Sequence, residues 1–237
     1  MQQTPHSQSH RPRQVSRRSA VGGTLALGVA GLAGIAAGCA PDSGVNVPTS
    51  TAPSRTTDPT RRAASGSVLL AYFSRSGENY YYGDRTELEI GNTEVLVGMI
   101  RSRLSCDVHK IEPADPYPFD YEETVERNRN EQRDDVRPII ANQLSSFGTH
   151  SIVLLASPVW NSSAPMIMHT FVESLDLAGV TIYPITTHAV SGLSGVPSVY
   201  EELCPDATIG AGFTARGEAV AEAGGALDDW LRQVGLV

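Results

Sequence analysis

The chain has 237 residues, 41% of them hydrophobic and 19% charged, which excludes a wholly disordered chain and leaves material for one domain of roughly 170 residues. Its formal charge of −8 is unevenly placed, with four arginines and no acid in residues 1–38 and a formal charge of −12 on the remainder. A domain of that sign repels the phosphate backbone, so nucleic acid is excluded as a partner.

In chain order, the basic stretch through Ser16-Arg17-Arg18 precedes the charge-free run Ser19 to Cys39, the layout of a secretory signal. The paired arginines resemble a twin-arginine export signal, with Ala20 where that signal usually has a bulky apolar residue. The run ends Ile35-Ala36-Ala37-Gly38-Cys39, similar to a bacterial lipobox. Residues 1–39 are therefore expected to be an export signal, with Cys39 lipidated and each buried acyl methylene contributing about 0.8 kcal/mol to anchoring. That reading places the protein on the outer face of the bacterial cytoplasmic membrane. The alternative is an uncleaved anchor with an incidental cysteine, although the Gly/Ala-rich run falls short of about 20 clearly apolar residues. Residues 40–66 lack hydrophobic periodicity and read as a flexible linker.

From Ser67 to Val237, β-rich runs alternate with helical patterns, which predicts an α/β domain built on a parallel sheet. Five strands are expected at Val68 to Phe73, Asp107 to Glu112, Ser151 to Ser157, Thr181 to Thr187 and Thr208 to Phe213. Helices are expected at Thr93 to Leu104, Tyr121 to Phe147 in one or two pieces, Pro165 to Leu175, Val196 to Leu203 and Gly217 to Val234. The continuous apolar runs in the first and third strands mark them as central, with helices on both faces. The predicted architecture is a three-layer sandwich around a five-stranded parallel sheet in the order 2-1-3-4-5, with a ligand at the carboxyl ends of the strands.

Three loops at those ends carry unusual chemistry. After the first strand come Ser74-Arg75-Ser76-Gly77 and then, beyond an interruption, Gly91-Asn92-Thr93-Glu94 opening a helix. Hydroxyls beside a helix N-terminus suit a phosphate. The interruption, Glu78 to Ile90, reads as a β-hairpin turning at Gly83-Asp84. After the third strand comes Pro158-Val159-Trp160-Asn161-Ser162, where Trp160 offers an aromatic platform. After the fourth comes His188-Ala189-Val190-Ser191-Gly192, where Gly192 permits close backbone approach.

These loops, in this order, resemble the cofactor loops of the flavodoxin family over Ser67 to Val237. The resemblance implies the flavodoxin-like fold and flavin mononucleotide (FMN) as cofactor. Ser74, Ser76 and Thr93 would supply hydroxyls to its phosphate, and Gly77, Asn92 and Thr93 backbone amides, with Arg75 in the same loop. Pro158, Val159, Trp160, Asn161 and Ser162 would face the flavin ring, with His188, Ala189, Ser191 and Gly192 forming the third wall. Asn161 and Ser162 depart from the aromatic and glycine common in relatives. For His188, flavin contact and a structural role stay open on the residues alone.

The implied function is electron transfer to redox partner proteins or small-molecule electron acceptors. The alternatives are an FMN-dependent NAD(P)H quinone or nitro reductase, and a lipoprotein that kept the fold without the flavin. Cys106 and Cys204 precede strands on opposite edges and are expected to be free, buried thiols. No zinc-ligand spacing or nucleotide P-loop is present.

Overall fold

A computed structural model describes residues 68–237. The export signal, Cys39 and the 40–66 linker lie outside the described residues. The five sheet elements of the sequence reading are present as β1 (Val68–Tyr72), β4 (Asp107–Lys110), β5 (Ile152–Pro158), β6 (Thr181–His188) and a divided last strand, β7 (Thr208–Ile209) and β8 (Phe213–Arg216). They are parallel and run in the order β4-β1-β5-β6-β7, with β8 also on β6. This is the predicted 2-1-3-4-5 order.

Alternation along β1 feeds two cores. Leu69, Ala71 and Phe73 point into one, and Val68, Leu70 and Tyr72 into the other. The first core is closed by α3 (Met166–Glu173) and α4 (Val196–Leu203), and the second by α1 (Asn92–Arg101) and α5 (Gly224–Gln233). Leu154 and Leu155 in the middle strand have no exposed surface. Each such burial stabilises the domain by about 1.5–3 kcal/mol before entropy is counted.

The division of the last strand corrects the single run expected over Thr208 to Phe213. Tyr183 and Pro184 of β6 face the three residues Gly210, Ala211 and Gly212, so the chain bulges. The amide of Gly210 reaches the Ile182 carbonyl at 2.8 Å. Two residues on, Pro184 presents no N–H to that same side, and the ladder breaks where it has nothing to donate. A Cβ on Gly212 would sit 2.7 Å from the Pro184 carbonyl oxygen. The indole of Trp230 in α5 donates to the carbonyl of Ala211 at 2.8 Å, satisfying the bulge.

Three other boundaries move. Helix α2 is only Tyr121–Arg133 and stops at Asp134, followed by Asp135 at φ 48°. The run to Phe147 therefore continues as loop. The expected helix from Gly217 is a 3₁₀ turn, Gly217–Glu222, followed by α5, because Ala219 departs from helical geometry. The insertion is a hairpin of β2 (Gly77–Tyr81) and β3 (Asp84–Leu88), but its turn is Tyr82-Gly83 rather than Gly83-Asp84. Both turn residues have positive φ, 49° and 97°, which matches the twist of flanking strands.

Cys204 is buried in the first core, whereas Cys106 is half-buried against the second, so the pair are free thiols on opposite faces of the sheet. The expectation that both are fully buried does not hold for Cys106, at the exposed start of β4.

Candidate functional site

At the carboxyl ends of β1, β5 and β6 the three loops meet around a narrow cleft. Its walls include Ser74, Arg75, Asn92, Thr93, Pro158, Val159, Trp160, His188 and Ala189 of the residues singled out in the sequence. Ser76, Gly77, Asn161, Ser162, Ser191 and Gly192 lie outside the lining. Asn79, Tyr121, Thr187, Gly217 and Glu218 complete it without having been singled out, together with Tyr80 of the hairpin, for which the sequence leaves flavin contact and packing both open.

The first wall is the N-terminus of α1 held against the β1 loop. Ser74 Oγ accepts the Glu94 amide at 3.1 Å, capping the helix from another loop and keeping its own proton for a ligand. This requires Gly91, whose Cβ would fall on the Ser74 hydroxyl and the Arg75 carbonyl. The first-turn amides of Asn92 and Thr93 are among those a helix leaves without intrahelical acceptors, and with the dipole they favour an anion. The Thr93 and Thr187 hydroxyls share a buried hydrogen bond of 2.7 Å, tying α1 to the end of β6. Behind them, Tyr72 donates to Glu94 at 3.2 Å. Burial and the Glu94 charge push the phenol up to about 12.

Arg75 points elsewhere. Its guanidinium donates to the carbonyls of Ser76, Glu78, Pro118 and Phe119, at 3.1 Å, 2.9 Å and 3.0 Å for the first, third and fourth. It thereby fastens the hairpin base and the segment entering α2 to the cleft. Gly77, at φ 90°, allows this close approach.

Trp160 stands between Phe73 and Tyr117, in edge-on contact with ring centroids 5.4 Å and 4.9 Å away. Tyr117 is held by a hydrogen bond to Glu131 at 2.9 Å and by the Arg127 guanidinium over its ring. Asn161 and Ser162 occupy a tight turn closed by Trp160 and Ser163, at φ 47° and 63°. The identity of Asn161 is explained by this backbone, since Asn tolerates the left-handed region; that of Ser162 is not. The Asn161 amide donates to Gln132 at 2.6 Å, and Gln132 donates to the Trp160 carbonyl at 3.1 Å, so both clamp the loop to α2.

The third wall carries two buried polar atoms without partners, His188 Nδ1 and Glu218 Oε2. Burial, then the nearby Arg216 charge, holds the His188 imidazole below the ordinary histidine range, and therefore neutral at pH 7. The Glu218 side chain is 1% exposed, and its other oxygen lies 3.4 Å from the Tyr82 amide at the hairpin tip. Gly192, at φ 62°, serves a turn whose carbonyl accepts from Thr186 at 3.1 Å.

Among the described residues there is no group of three or more metal-ligating side chains, and no helix long and apolar enough to cross a membrane.

This architecture has known relatives. The flavodoxin family model matches residues 67–234, and the chain belongs to that family. A crystal structure from Bacteroides eggerthii assigned to a flavoprotein is 25% identical, covering 72% of this chain and 98% of that one, with a TM-score of 0.56. One from Bacteroides uniformis, also assigned to a flavoprotein, is 24% identical over 69% and 98% of the two chains, with a TM-score of 0.54. No curated protein matches the sequence significantly.

Proposed function

We propose that the cleft binds FMN and that the protein is an exported, lipid-anchored electron-transfer flavoprotein. The observation that carries this reading is the meeting, in one cleft, of the α1 N-terminus with Ser74, the Trp160 loop and the His188 loop. FMN supplies reversible one- and two-electron chemistry when bound. The residues present fit it. Ser74, Asn92 and Thr93 offer hydroxyl and amide donors to a phosphate. Glu218 Oε2, a buried acceptor with no donor, and His188 Nδ1 suit the hydroxyls of the polyol chain. Trp160 provides a flat apolar wall for the ring.

Export and anchoring rest on the sequence: the Arg17-Arg18 pair, the lipobox ending at Cys39, and the 40–66 linker. Twin-arginine transport carries folded proteins, so this route suits a cofactor loaded in the cytoplasm. Replacing Arg17 and Arg18 by lysine is expected to stop delivery to the membrane face, and Cys39→Ala to release the protein from it. Normal delivery of the first variant would count against the twin-arginine route.

The purified protein is expected to carry flavin absorbance or take up added FMN. A colourless protein that takes up none would overturn the redox reading and leave a flavin-free binding module. Steady oxidation of NAD(P)H with a quinone would replace the carrier by a reductase.

A further inference from the structure

Trp160 lines two adjoining cavities. Beyond the cofactor cleft, toward α2, lies a second space of about 230 Å³. The two share Arg75, Asn79, Tyr121, Val159 and Trp160, so the second adjoins the first and anything in it lies against the first's wall. Usual sites for drug-sized ligands begin at about 300 Å³, so this one suits a single ring or a small fused pair.

Its polar groups narrow the chemistry. Asn128 of α2 lines it, is 3% exposed, and leaves its Oδ1 without a hydrogen-bond partner. A buried amide in that condition calls for a ligand or a water to complete it. Either end of the amide can face the cavity by a half-turn. Next to it Arg129 lines the same space without a salt bridge, whereas Arg127 and Arg133 of the same helix are paired with acids.

The other polar neighbours are already engaged. Thr124 donates to the Pro118 and Asp120 carbonyls at 3.0 Å and 2.8 Å, Arg75 to loop carbonyls, and Asn161 to Gln132. Asn79 donates to the Gly77 carbonyl at 3.0 Å. Asn128 Oδ1 is the one buried polar side-chain atom of this lining without a partner, and it lies in the same lining as the Arg129 guanidinium, the Tyr121 ring with its hydroxyl and the Trp160 indole. That set fits a flat ring bearing carbonyl oxygens.

We propose that this cavity is the subsite for a small-molecule redox partner, an aromatic carbonyl compound of quinone type held by Asn128 and Arg129 beside Trp160. The proposal rests on the reading of the adjoining cleft as the FMN site. It commits only to binding. The test is calorimetric titration of the FMN-loaded protein with duroquinone, a single-ring quinone whose methyl groups suppress reaction with thiols. Asn128→Leu and Arg129→Leu are each expected to weaken duroquinone binding by about tenfold, the loss of one buried or charged hydrogen bond. FMN affinity, read by flavin fluorescence, is expected to stay within about twofold of wild type.

Arg129 is exposed, so its variant keeps the test should Asn128→Leu fail to fold. Unchanged duroquinone affinity in the folded variants overturns the proposal. So does a parallel loss of FMN affinity, which would make the cavity part of the cofactor site. If the wild type takes up no FMN yet binds duroquinone in an Asn128- and Arg129-dependent way, the quinone site stands and the cofactor reading falls.

Discussion

The Arg75 guanidinium donates to the carbonyl oxygen of Phe119 at 3.0 Å, joining the cleft's first loop to the segment that enters α2. With Ser76, Glu78 and Pro118 it satisfies four carbonyls in all. Arg75→Ala is expected to destabilise the domain by about 2–3 kcal/mol, since charged hydrogen bonds are lost and carbonyls stranded. Chemical denaturation measures this. FMN affinity should fall with it, because the hairpin base loosens.

Gly91 tests the first wall. Its φ of −65° suits any residue, so alanine there carries no conformational penalty. The Cβ alone is at fault, and it meets backbone and the Ser74 hydroxyl. Gly91→Ala is expected to cost about 1–3 kcal/mol in stability and to weaken FMN binding by tenfold or more, roughly one lost phosphate hydrogen bond. Gly98→Ala, on the exposed side of the same helix with open space around it, is the control and should be neutral or stabilising.

The hairpin covers the cleft from one side. Its tip amide, at Tyr82, faces Glu218, and Arg216 lies over the Tyr82 ring with 5.5 Å to the centroid. Asn79 and Tyr80 of the hairpin line the cleft, so a ligand there lies against β2. Amides of residues 77–88 should therefore exchange more slowly once FMN is bound. Glu218→Gln should weaken FMN by about tenfold, one charged hydrogen bond.

Stability should fall on acidification. Burial, the leading cause in each case, holds His109, His169 and His188 below their ordinary value of 6.5. The unfolded chain then binds more protons than the folded one just below pH 6.5, so unfolding free energy drops as pH is lowered through that region. Denaturation at pH 7.5 and 5.5 checks the sign. His169→Gln should flatten the dependence.

Much of the fold was legible because the central strands carry uninterrupted apolar runs, and Val68 to Tyr72 and Ile152 to Ala156 pair as those runs suggest. The broken last strand was not, because it depends on which side of β6 Pro184 faces, a matter of register. The hairpin turn lies one residue before the Gly83-Asp84 pair that the sequence points to. Tyrosine rarely takes φ near 49°, so Tyr82 gave no local signal. Ser74, Thr93, Trp160 and His188, which line the cleft, stand out in the sequence because each sits at a strand or helix end. Tyr121 and Glu218 come from elements that fold over the cleft, and Asn161 proved to face α2 through Gln132. Spacing in the chain carries no trace of either fact.

Binding of FMN against Trp160 is tested most directly by titrating the protein with FMN and reading flavin fluorescence. Saturation at one FMN per chain with strong quenching is expected, and about a thirtyfold weaker complex for Trp160→Ala, some 2 kcal/mol of aromatic burial and stacking. No saturable quenching in the wild type, or an unchanged complex in Trp160→Ala, would contradict it.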